Sequence, residues 1–341
     1  MSRPAIEKSI NSSSALVGKA SPLLLWRSLR AVRDIVRGAA MLCFVFAAPG
    51  ASAATDSSPG DKGVLFAADF DTRGKGRDSW TTEFGPMVHQ PNVEPDEGPF
   101  GPDGKPKGAI KVWFRQGTFG ADHALLMSRY FQALGIEQFR YQELYLRYYI
   151  RFNDDMAAKT GGKLPGLASA GKIYAEGCMS PNGTDAWSVR FMWGGSSSTD
   201  TFHLQAYPYV VNKDELSLPF RTPEQVRCGG FVPIKTKPDL GAPWYDFKRG
   251  VWYAIEERVK LNEPGKKDGI LQVWIDDSLV LDRTNVLYRT VDNPDTKIGR
   301  LAFESFLGGS TPDWAAPQNE SMDIADLVIA TRHIGLAEGR K

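Results

Sequence analysis

The sequence contains little cysteine, little net charge and no long apolar run. Three cysteines in 341 residues exclude a small protein stapled by disulfides. The 41 basic and 40 acidic side chains give a formal charge of +1, which excludes a protein that binds nucleic acid through bulk charge. The apolar run at residues 38–48 is too short to span a bilayer, so a polytopic membrane protein is excluded too. These absences leave an ordinary globular protein.

The N-terminal region has its own charge pattern. Residues 1–53 hold seven basic and two acidic side chains, then the apolar run GAAMLCFVFAA and the small-residue site Ala51-Ser52-Ala53. This pattern predicts a signal peptide at 1–53 and a secreted or periplasmic protein; a membrane anchor retained in the mature protein is the alternative. Residues 54–341 carry 34 basic and 38 acidic side chains, a formal −4. Their two cysteines, Cys178 and Cys228, form either one disulfide or two separate thiols.

After a polar linker at 54–63, the pattern predicts one β domain over residues 64–335 and a short tail at 336–341. Pro95 to Lys107 reads as turns, residues 128–134 as a short helix and 161–167 as a loop. The 34 glycines and 22 prolines between many short strands indicate an all-β, two-sheet antiparallel sandwich. The hairpin ILQVWIDDSLVL and the closing strand IADLVIA resemble concanavalin-like jelly rolls. The predicted strands are 64–70, 109–114, 143–152, 187–193, 201–211, 251–261, 270–275, 300–306 and 325–330.

Three predicted strands each have one apolar face and one polar face of unusual composition. The polar faces hold tyrosine, arginine, glutamine, histidine and serine rather than lysine, glutamate and threonine. Rigid, flat donors of this kind suit a sugar chain that carries carboxylates, so the three strands predict a binding groove. The alternative is that tyrosine and arginine are simply common on exposed strands. The predicted groove residues outside the motifs below are Arg147, Tyr149, His203 and Gln205.

Four motifs follow one another along the chain. They are GGKLPGL with Lys163, WSVRFMW with Ser188 and Arg190, LQAYPYV with Tyr207 and Tyr209, and FESFLGGSTPDWAAP near the C-terminus. Together they resemble polysaccharide lyase family 14, which includes alginate and glucuronate-polymer lyases, and the lysine motif is also similar to that of fungal glucuronan lyases. The resemblance implies a β-jelly roll with these five side chains at its active site. The chain departs from the pattern at ASAGKIYAEGC and at residues 194–200.

Such a lyase cuts a polyuronate by β-elimination. It removes the C5 proton beside a charged carboxylate, so cations must stabilise the developing enolate, and Lys163 and Arg190 suit that task. Ser188 would donate a further hydrogen bond to the carboxylate. Tyr207 and Tyr209 share a strand face, with Cα atoms about 6.5–7 Å apart. One of them would take the C5 proton, and either could protonate the leaving oxygen. His203 is on the same face and is the alternative base.

Two other functions fit the same fold. A glycoside hydrolase needs two facing carboxylates, but the one acid-x-acid pair in a predicted strand is Asp69 and Asp71, which would instead suit a structural calcium ion. A non-catalytic carbohydrate-binding protein would need the groove but not the convergence of Lys163, Ser188 and Arg190. We therefore expect a monomeric lyase with an anionic polysaccharide substrate. We expect no organic cofactor, no catalytic metal, no nucleic-acid partner and no membrane contact after signal cleavage.

Overall fold

The protein is described from a computed structural model. It covers residues 63–71, 92–100, 105–120, 123, 125–136, 140–159, 161–216, 231–239, 241–309 and 311–338. The chain divides into the units Met1–Asp56 and Ser57–Lys341, and all of these residues belong to the second. The predicted signal peptide and nearly all of the predicted linker lie outside the described residues. No helix within the described ranges is long and apolar enough to cross a membrane.

Two antiparallel sheets account for the fifteen strands of the described residues. The eight-stranded sheet contains β1 (Val64–Ala68), β2 (Val93–Phe100), β3 (Pro106–Phe114), β5 (Glu143–Phe152), β11 (Trp252–Lys260), β12 (Gly269–Ile275), β13 (Ser278–Val286) and β15 (Glu320–Ala330). The seven-stranded sheet contains β4 (Leu125–Tyr130), β6 (Gly161–Ser169), β7 (Ser188–Ser196), β8 (Thr201–Tyr209), β9 (Val232–Pro233), β10 (Asp246–Phe247) and β14 (Ile298–Leu307).

The strand orders place β5 at the centre of the first sheet and β7 and β6 at the centre of the second. The first sheet runs β13-β12-β11-β5-β15-β3-β2, with β1 beside β15. The second runs β10-β8-β7-β6-β14-β4, with β9 also beside β8. Short helical turns lie at Phe131–Leu134, Lys213–Leu216, Pro294–Thr296 and Pro312–Trp314. The predicted two-sheet antiparallel jelly roll is confirmed.

Alternating side chains build the core between the sheets. The even positions of β5, from Leu144 to Phe152, are fully buried in one apolar cluster with the odd positions of β7 and the even positions of β8. A strand sends successive side chains to opposite faces, so each strand contributes one face to this cluster. The other face of β6, β7, β8 and β14 points away from the core. We call it the site face.

Three local predictions were wrong. Residues 161–167 were expected to form a loop because they are rich in glycine and proline, but they begin strand β6, which lies between β7 and β14. Residues 128–134 were expected to be a short helix, but the first three close strand β4 and only Phe131–Leu134 forms a 3-10 turn. The region of residues 95–107, read as turns, contains much of β2.

Candidate active site

The structure brings the five predicted catalytic side chains onto the site face of three adjacent strands. Arg190 on β7 lies directly opposite Tyr207 on β8, and Ser188 lies opposite Tyr209. Lys163 on β6 lies opposite Met192 on β7. Because directly paired residues of neighbouring strands point to the same side of a sheet, these side chains are close neighbours.

Lys163 and Tyr207 are in direct contact. The Lys163 ammonium nitrogen is 3.8 Å from the centre of the Tyr207 ring and 2.8 Å from the Met192 sulfur. Each of the two side chains keeps 9% of its surface exposed, more than the other three predicted catalytic residues. A cation at this distance from an aromatic face is attracted by the ring quadrupole. Met192 and Tyr207 therefore fix the ammonium group at the surface of the site face.

Arg190 is buried and paired with a carboxylate. Its guanidinium is 2.9 Å from Glu304 on β14 and lies over the rings of Tyr174, at 5.3 Å, and Tyr209, at 5.2 Å. Burial by itself lowers the pKa of Arg190, but the Glu304 carboxylate outweighs it and raises the pKa above its ordinary value. Arg190 is thus a permanent cation whose charge is balanced inside the protein.

Glu304 is a site residue that motif reasoning missed. It lies in FESF, inside the fourth motif, and alternates with core residues Phe303 and Ser305 along β14. Its two carboxylate oxygens accept from Arg190 and, at 2.5 Å, from the hydroxyl of Tyr174. The signal that points to it is a glutamate in the mostly apolar strand β14, because a buried carboxylate needs a partner.

Residues 171–186, which we call the cover segment, lie against one end of the site face. The Ser188 hydroxyl donates to the Ala175 carbonyl at 2.6 Å, and the Cys178 amide donates to the Tyr209 hydroxyl at 3.3 Å. Ser188 has no exposed surface and Tyr209 only 3%. The Ser188 hydroxyl, predicted to donate to a substrate carboxylate, donates in this arrangement to the backbone of the cover segment.

Further contacts fix the cover segment in place. The Lys213 ammonium donates to the Met179 carbonyl at 3.1 Å, and Arg300 and Tyr130 both donate to the Gly171 carbonyl. Cys178 is disulfide-bonded, while its predicted partner, Cys228, lies outside the described residues. The segment contains KIYAEGC, where the sequence departs from the family pattern. The cover segment is thus held firmly in place beside Arg190 and Tyr209.

Gln205 and His203 continue the site face along β8. Gln205 lies opposite Met192, and its buried Oε1 has no hydrogen-bond partner among the described residues. His203 lies opposite Gly194, where a Cβ atom would come within 2.6 Å of the imidazole. Burial lowers the pKa of His203; nearby Asp246 opposes this shift and Lys235 adds to it. The imidazole is therefore neutral at pH 7.

The structure separates Arg147 and Tyr149 from this site. Both lie on β5 in the other sheet, on its outer face. Arg147 pairs with Asp326 at 3.0 Å, and the Tyr149 hydroxyl accepts from the Ala337 amide at 2.8 Å. Their assignment to the substrate groove is corrected here. The alternation of β5 was read properly, but its polar face is covered by the chain end rather than joined to β7 and β8.

The described residues contain no group of three or more histidine, cysteine, aspartate or glutamate side chains placed to hold a metal ion. At the position suggested for calcium, an Asp69 carboxylate oxygen accepts from the Asp71 amide at 2.9 Å. That carboxylate caps its own turn.

Comparison with solved structures identifies the fold. The alginate lyase Aly36B matches with a TM-score of 0.53 and 20% identity over 80% of this chain and 97% of that one. The alginate lyase of the marine animal Aplysia kurodai gives 0.56 and 18% over 79% and 99%, and vAL-1 from Chlorella virus gives 0.50 and 16% over 79% and 100%. The fold is therefore that of the jelly-roll polysaccharide lyases.

A family model identifies the chain more closely. Polysaccharide lyase 14 matches residues 103–327, well over half of the sequence. The chain belongs to polysaccharide lyase family 14, as its motifs suggested, and it is a polysaccharide lyase. A comparison with curated protein sequences finds no significant match. Two variants of Aly36B are described with bound sugars: one with a lysine and a tyrosine replaced by alanine holds an alginate tetrasaccharide, and one with a lysine and a methionine replaced holds an alginate trisaccharide.

Proposed function

We propose that the protein cleaves a uronate-containing polysaccharide, of the alginate or glucuronan type, by β-elimination at Lys163 and Tyr207. The observation that carries the proposal is the contact of the Lys163 ammonium with the Tyr207 ring on the site face, at 3.8 Å, in a chain of this family. A lyase on an anionic polymer needs a cation and a proton-transfer group at one point. These two side chains supply both.

The reaction itself sets what each group must do. The C5–H bond breaks, its electron pair forms the C4–C5 double bond, and the C4–O4 bond breaks with its electrons going to O4. Negative charge builds up on the C6 carboxylate in the transition state, and a fixed cation stabilises it most when little water competes. We assign this task to Lys163, whose surroundings already exclude most water.

Tyr207 moves the protons in this proposal. Its phenolic oxygen takes the C5 proton and supplies one to O4, so that no net proton is consumed within the site. The adjacent ammonium of Lys163 favours negative charge on nearby oxygens. His203 was the alternative base, but it lies opposite Gly194, and Gln205 lies between it and Tyr207 on the same face of β8. The neutral imidazole is therefore placed to contact sugar hydroxyls instead.

Arg190, Glu304, Ser188 and Tyr209 are positioning residues in this proposal. Arg190 pairs directly with Tyr207 across the strands, and its charge is already balanced by Glu304. An arginine with a buried partner is held in one orientation, so Arg190 is a rigid neighbour that positions the Tyr207 side chain. This differs from the expectation that Arg190 itself neutralises the substrate carboxylate.

The substrate class rests on chemistry and on the relatives. Both Aly36B variants with bound alginate oligosaccharides have a lysine replaced, one together with a tyrosine and the other together with a methionine. In this chain the same three residue types are in contact at Lys163, Tyr207 and Met192. Polymeric alginate and glucuronan do not enter cells readily, so the proposed signal peptide at residues 1–53 and secretion or periplasmic location fit this substrate.

The direct test is to incubate the protein with alginate, glucuronan and a neutral glucan, and to measure both ultraviolet absorbance of the unsaturated ends and new reducing ends. We expect both signals to rise together with at least one polyuronate and neither with the glucan. New reducing ends without absorbance would show a hydrolase. Binding without either signal would show a carbohydrate-binding protein, and both results would contradict the proposal.

A further inference from the structure

We infer that Lys235, Trp244 and His203 form a second sugar-binding subsite for the same polymer, remote from the bond that is cut. The inference rests on the proposed function for the identity of its ligand. It concerns the hairpin at the edge of the seven-stranded sheet, residues 232–239 and 241–247, which we call the edge hairpin. None of the four motifs lies in this part of the sequence.

Strand register places the edge hairpin on the site face. Pro233 lies opposite Gln205, Asp246 lies opposite His203, and Lys235 pairs with Trp244. Val232, Ile234 and Phe247 point into the core. By alternation, Lys235 and Trp244 point to the side that carries Lys163 and Tyr207.

Trp244 contacts both of the other side chains. The Lys235 ammonium is 4.4 Å from the centre of the Trp244 ring, and the ring centres of His203 and Trp244 are 4.7 Å apart. Lys235 forms no ion pair within the described part of the chain, in contrast to Arg190. An ammonium group held by an indole ring and lacking a carboxylate partner is a suitable ligand for a uronate carboxylate.

His203 and Asp246 adapt the subsite to a sugar rather than to a simple anion. Because burial lowers its pKa, the imidazole of His203 is neutral at pH 7 and has one donor and one acceptor nitrogen for sugar hydroxyls. The Asp246 carboxylate is exposed and accepts from the Thr201 hydroxyl at 3.5 Å. Within the described residues, Asp246 forms no ion pair with Lys235.

A shallow row of residues links the subsite to Lys163. Gln205 and Met192 lie between Lys163 and Pro233 across the sheet. In the next row Gly194 has no side chain, which lets the His203 ring lie over its backbone. Three strand spacings separate β6 from the edge hairpin, about 14 Å. A polymer bound across the strands would thus contact Lys163 at one sugar and Lys235 a few sugars away.

The test compares Lys235→Met with Lys237→Met, an exposed lysine on the same hairpin. Short and long substrates, a trisaccharide and a hexasaccharide, are prepared from the polyuronate that is cleaved fastest, or from alginate if none is cleaved. We expect Lys235→Met to raise KM for the hexasaccharide about tenfold, which corresponds to about 1.4 kcal/mol, with kcat unchanged. Trisaccharide kinetics should not change in either variant, and Lys237→Met should match the wild type throughout.

A binding measurement separates the two proposals. Hexasaccharide affinity is measured by calorimetry in the Lys163→Ala background, with and without Lys235→Met. Turnover in the wild type with equal behaviour of the Lys235 and Lys237 variants would overturn the subsite and leave the lyase proposal standing. Affinity that depends on Lys235, together with no turnover by the wild-type protein, would support the subsite and overturn the lyase proposal. An equal loss on trisaccharide and hexasaccharide would mean that Lys235 acts only on the fold.

Discussion

At the scale of single residues, the buried pair of Arg190 and Glu304 best shows how environment changes a role. The motif and the alternation of β7 predicted the position of Arg190 on the polar face. They did not predict that a carboxylate from β14 would balance its charge, because the two residues are more than a hundred positions apart in sequence. A buried ion pair is held together by strong mutual attraction, and removing one partner leaves an uncompensated charge.

Replacing one member of this pair should destabilise the protein strongly. Glu304→Gln leaves the Arg190 cation buried without a counter-charge, and we expect the free energy of unfolding to fall by about 3–5 kcal/mol in urea denaturation. The double variant Arg190→Met with Glu304→Leu removes both charges and should recover most of that loss. This double variant should remain a poor enzyme, since Arg190 no longer positions Tyr207.

An exposed pair provides the control for this prediction. Glu215 and Lys267 are 2.6 Å apart and both are well exposed to solvent. Glu215→Gln should leave unfolding unchanged, because solvent screens such pairs. If Glu304→Gln unfolds like the wild type, or if the double variant is as unstable as the single one, Arg190 does not depend on Glu304.

At the scale of elements, strand β6 shows where sequence reasoning succeeds and where it stops. Alternation located β5, β7 and β8 within three residues at either end, since their faces differ in polarity. GGKLPGL has no such alternation, and all nine residues of β6 are buried. The strand can hold a proline because its pairing is irregular around Pro165 with both neighbouring strands. The register shifts between Leu164 and Leu167 on the β7 side and between Lys163 and Gly166 on the β14 side. Gly166 is needed because a Cβ atom there would lie 1.9 Å from the Val189 carbonyl.

A buried acid lies behind this irregular part of β6. Glu257 on β11 is fully buried, and burial raises its pKa well above the ordinary 4.5. The nearby Leu167 amide lowers this pKa somewhat, although neither Glu257 carboxylate oxygen has a hydrogen-bond partner among the described residues. Tyr148, beside it, donates to the Pro165 carbonyl at 3.1 Å. Glu257 is therefore protonated in the folded protein at pH values where it ionises in the unfolded chain.

The stabilising contribution of Glu257 should fall as pH rises. It is complete below about pH 4.5 and is lost as pH increases toward the folded-state pKa. Glu257→Gln cannot ionise, so its stability relative to the wild type should increase by about 1.4 kcal/mol for each pH unit above 4.5 within that window. Urea denaturation of both proteins at about pH 4, 6 and 8 measures this.

A second carboxyl group provides the comparison. Burial raises the pKa of Glu320 to about 7, even though the Ala157 amide lowers it. Glu320→Gln should show the same sign as Glu257→Gln, but its gain should level off above about pH 7. A gain that does not change with pH for Glu257→Gln would mean that this carboxyl is ionised in the folded protein.

At the scale of the whole molecule, the charge distribution sets how a polyanion is recognised. Residues 54–341 carry a formal −4, so long-range attraction does not favour the substrate. Many cations are paired with carboxylates, including Arg147, Arg151 and Arg190. Lys163 and Lys235 lie against aromatic rings on the site face. We therefore propose that recognition depends on a few placed ammonium groups.

The fold class and the family were predictable from the sequence, whereas the composition of the site was only partly so. Arg190 and both tyrosines were placed on a polar strand face by motif and periodicity, whereas Lys163 was assigned to the site by its motif alone, in a predicted loop that is part of strand β6. The cover segment, Glu304 and the edge hairpin were not, since each reaches the site through contacts between distant parts of the chain. Arg147 and Tyr149 were assigned wrongly because periodicity shows which side chains share a face, but not which sheet holds the strand.

The central claim is that Lys163 and Tyr207 perform the elimination while Tyr209 supports the cover segment. The most direct measurement is kcat for Tyr207→Phe, Tyr209→Phe and Lys163→Ala on the same polyuronate, followed by ultraviolet absorbance of the unsaturated ends. We predict a loss on the order of a hundredfold or more for Tyr207→Phe and Lys163→Ala, because each removes a group that acts on the reacting atoms. Tyr209→Phe removes one hydrogen bond from the Cys178 amide and should cost less than about tenfold. Wild-type turnover in Tyr207→Phe, or a dead Tyr209→Phe beside an active Tyr207→Phe, would contradict the account.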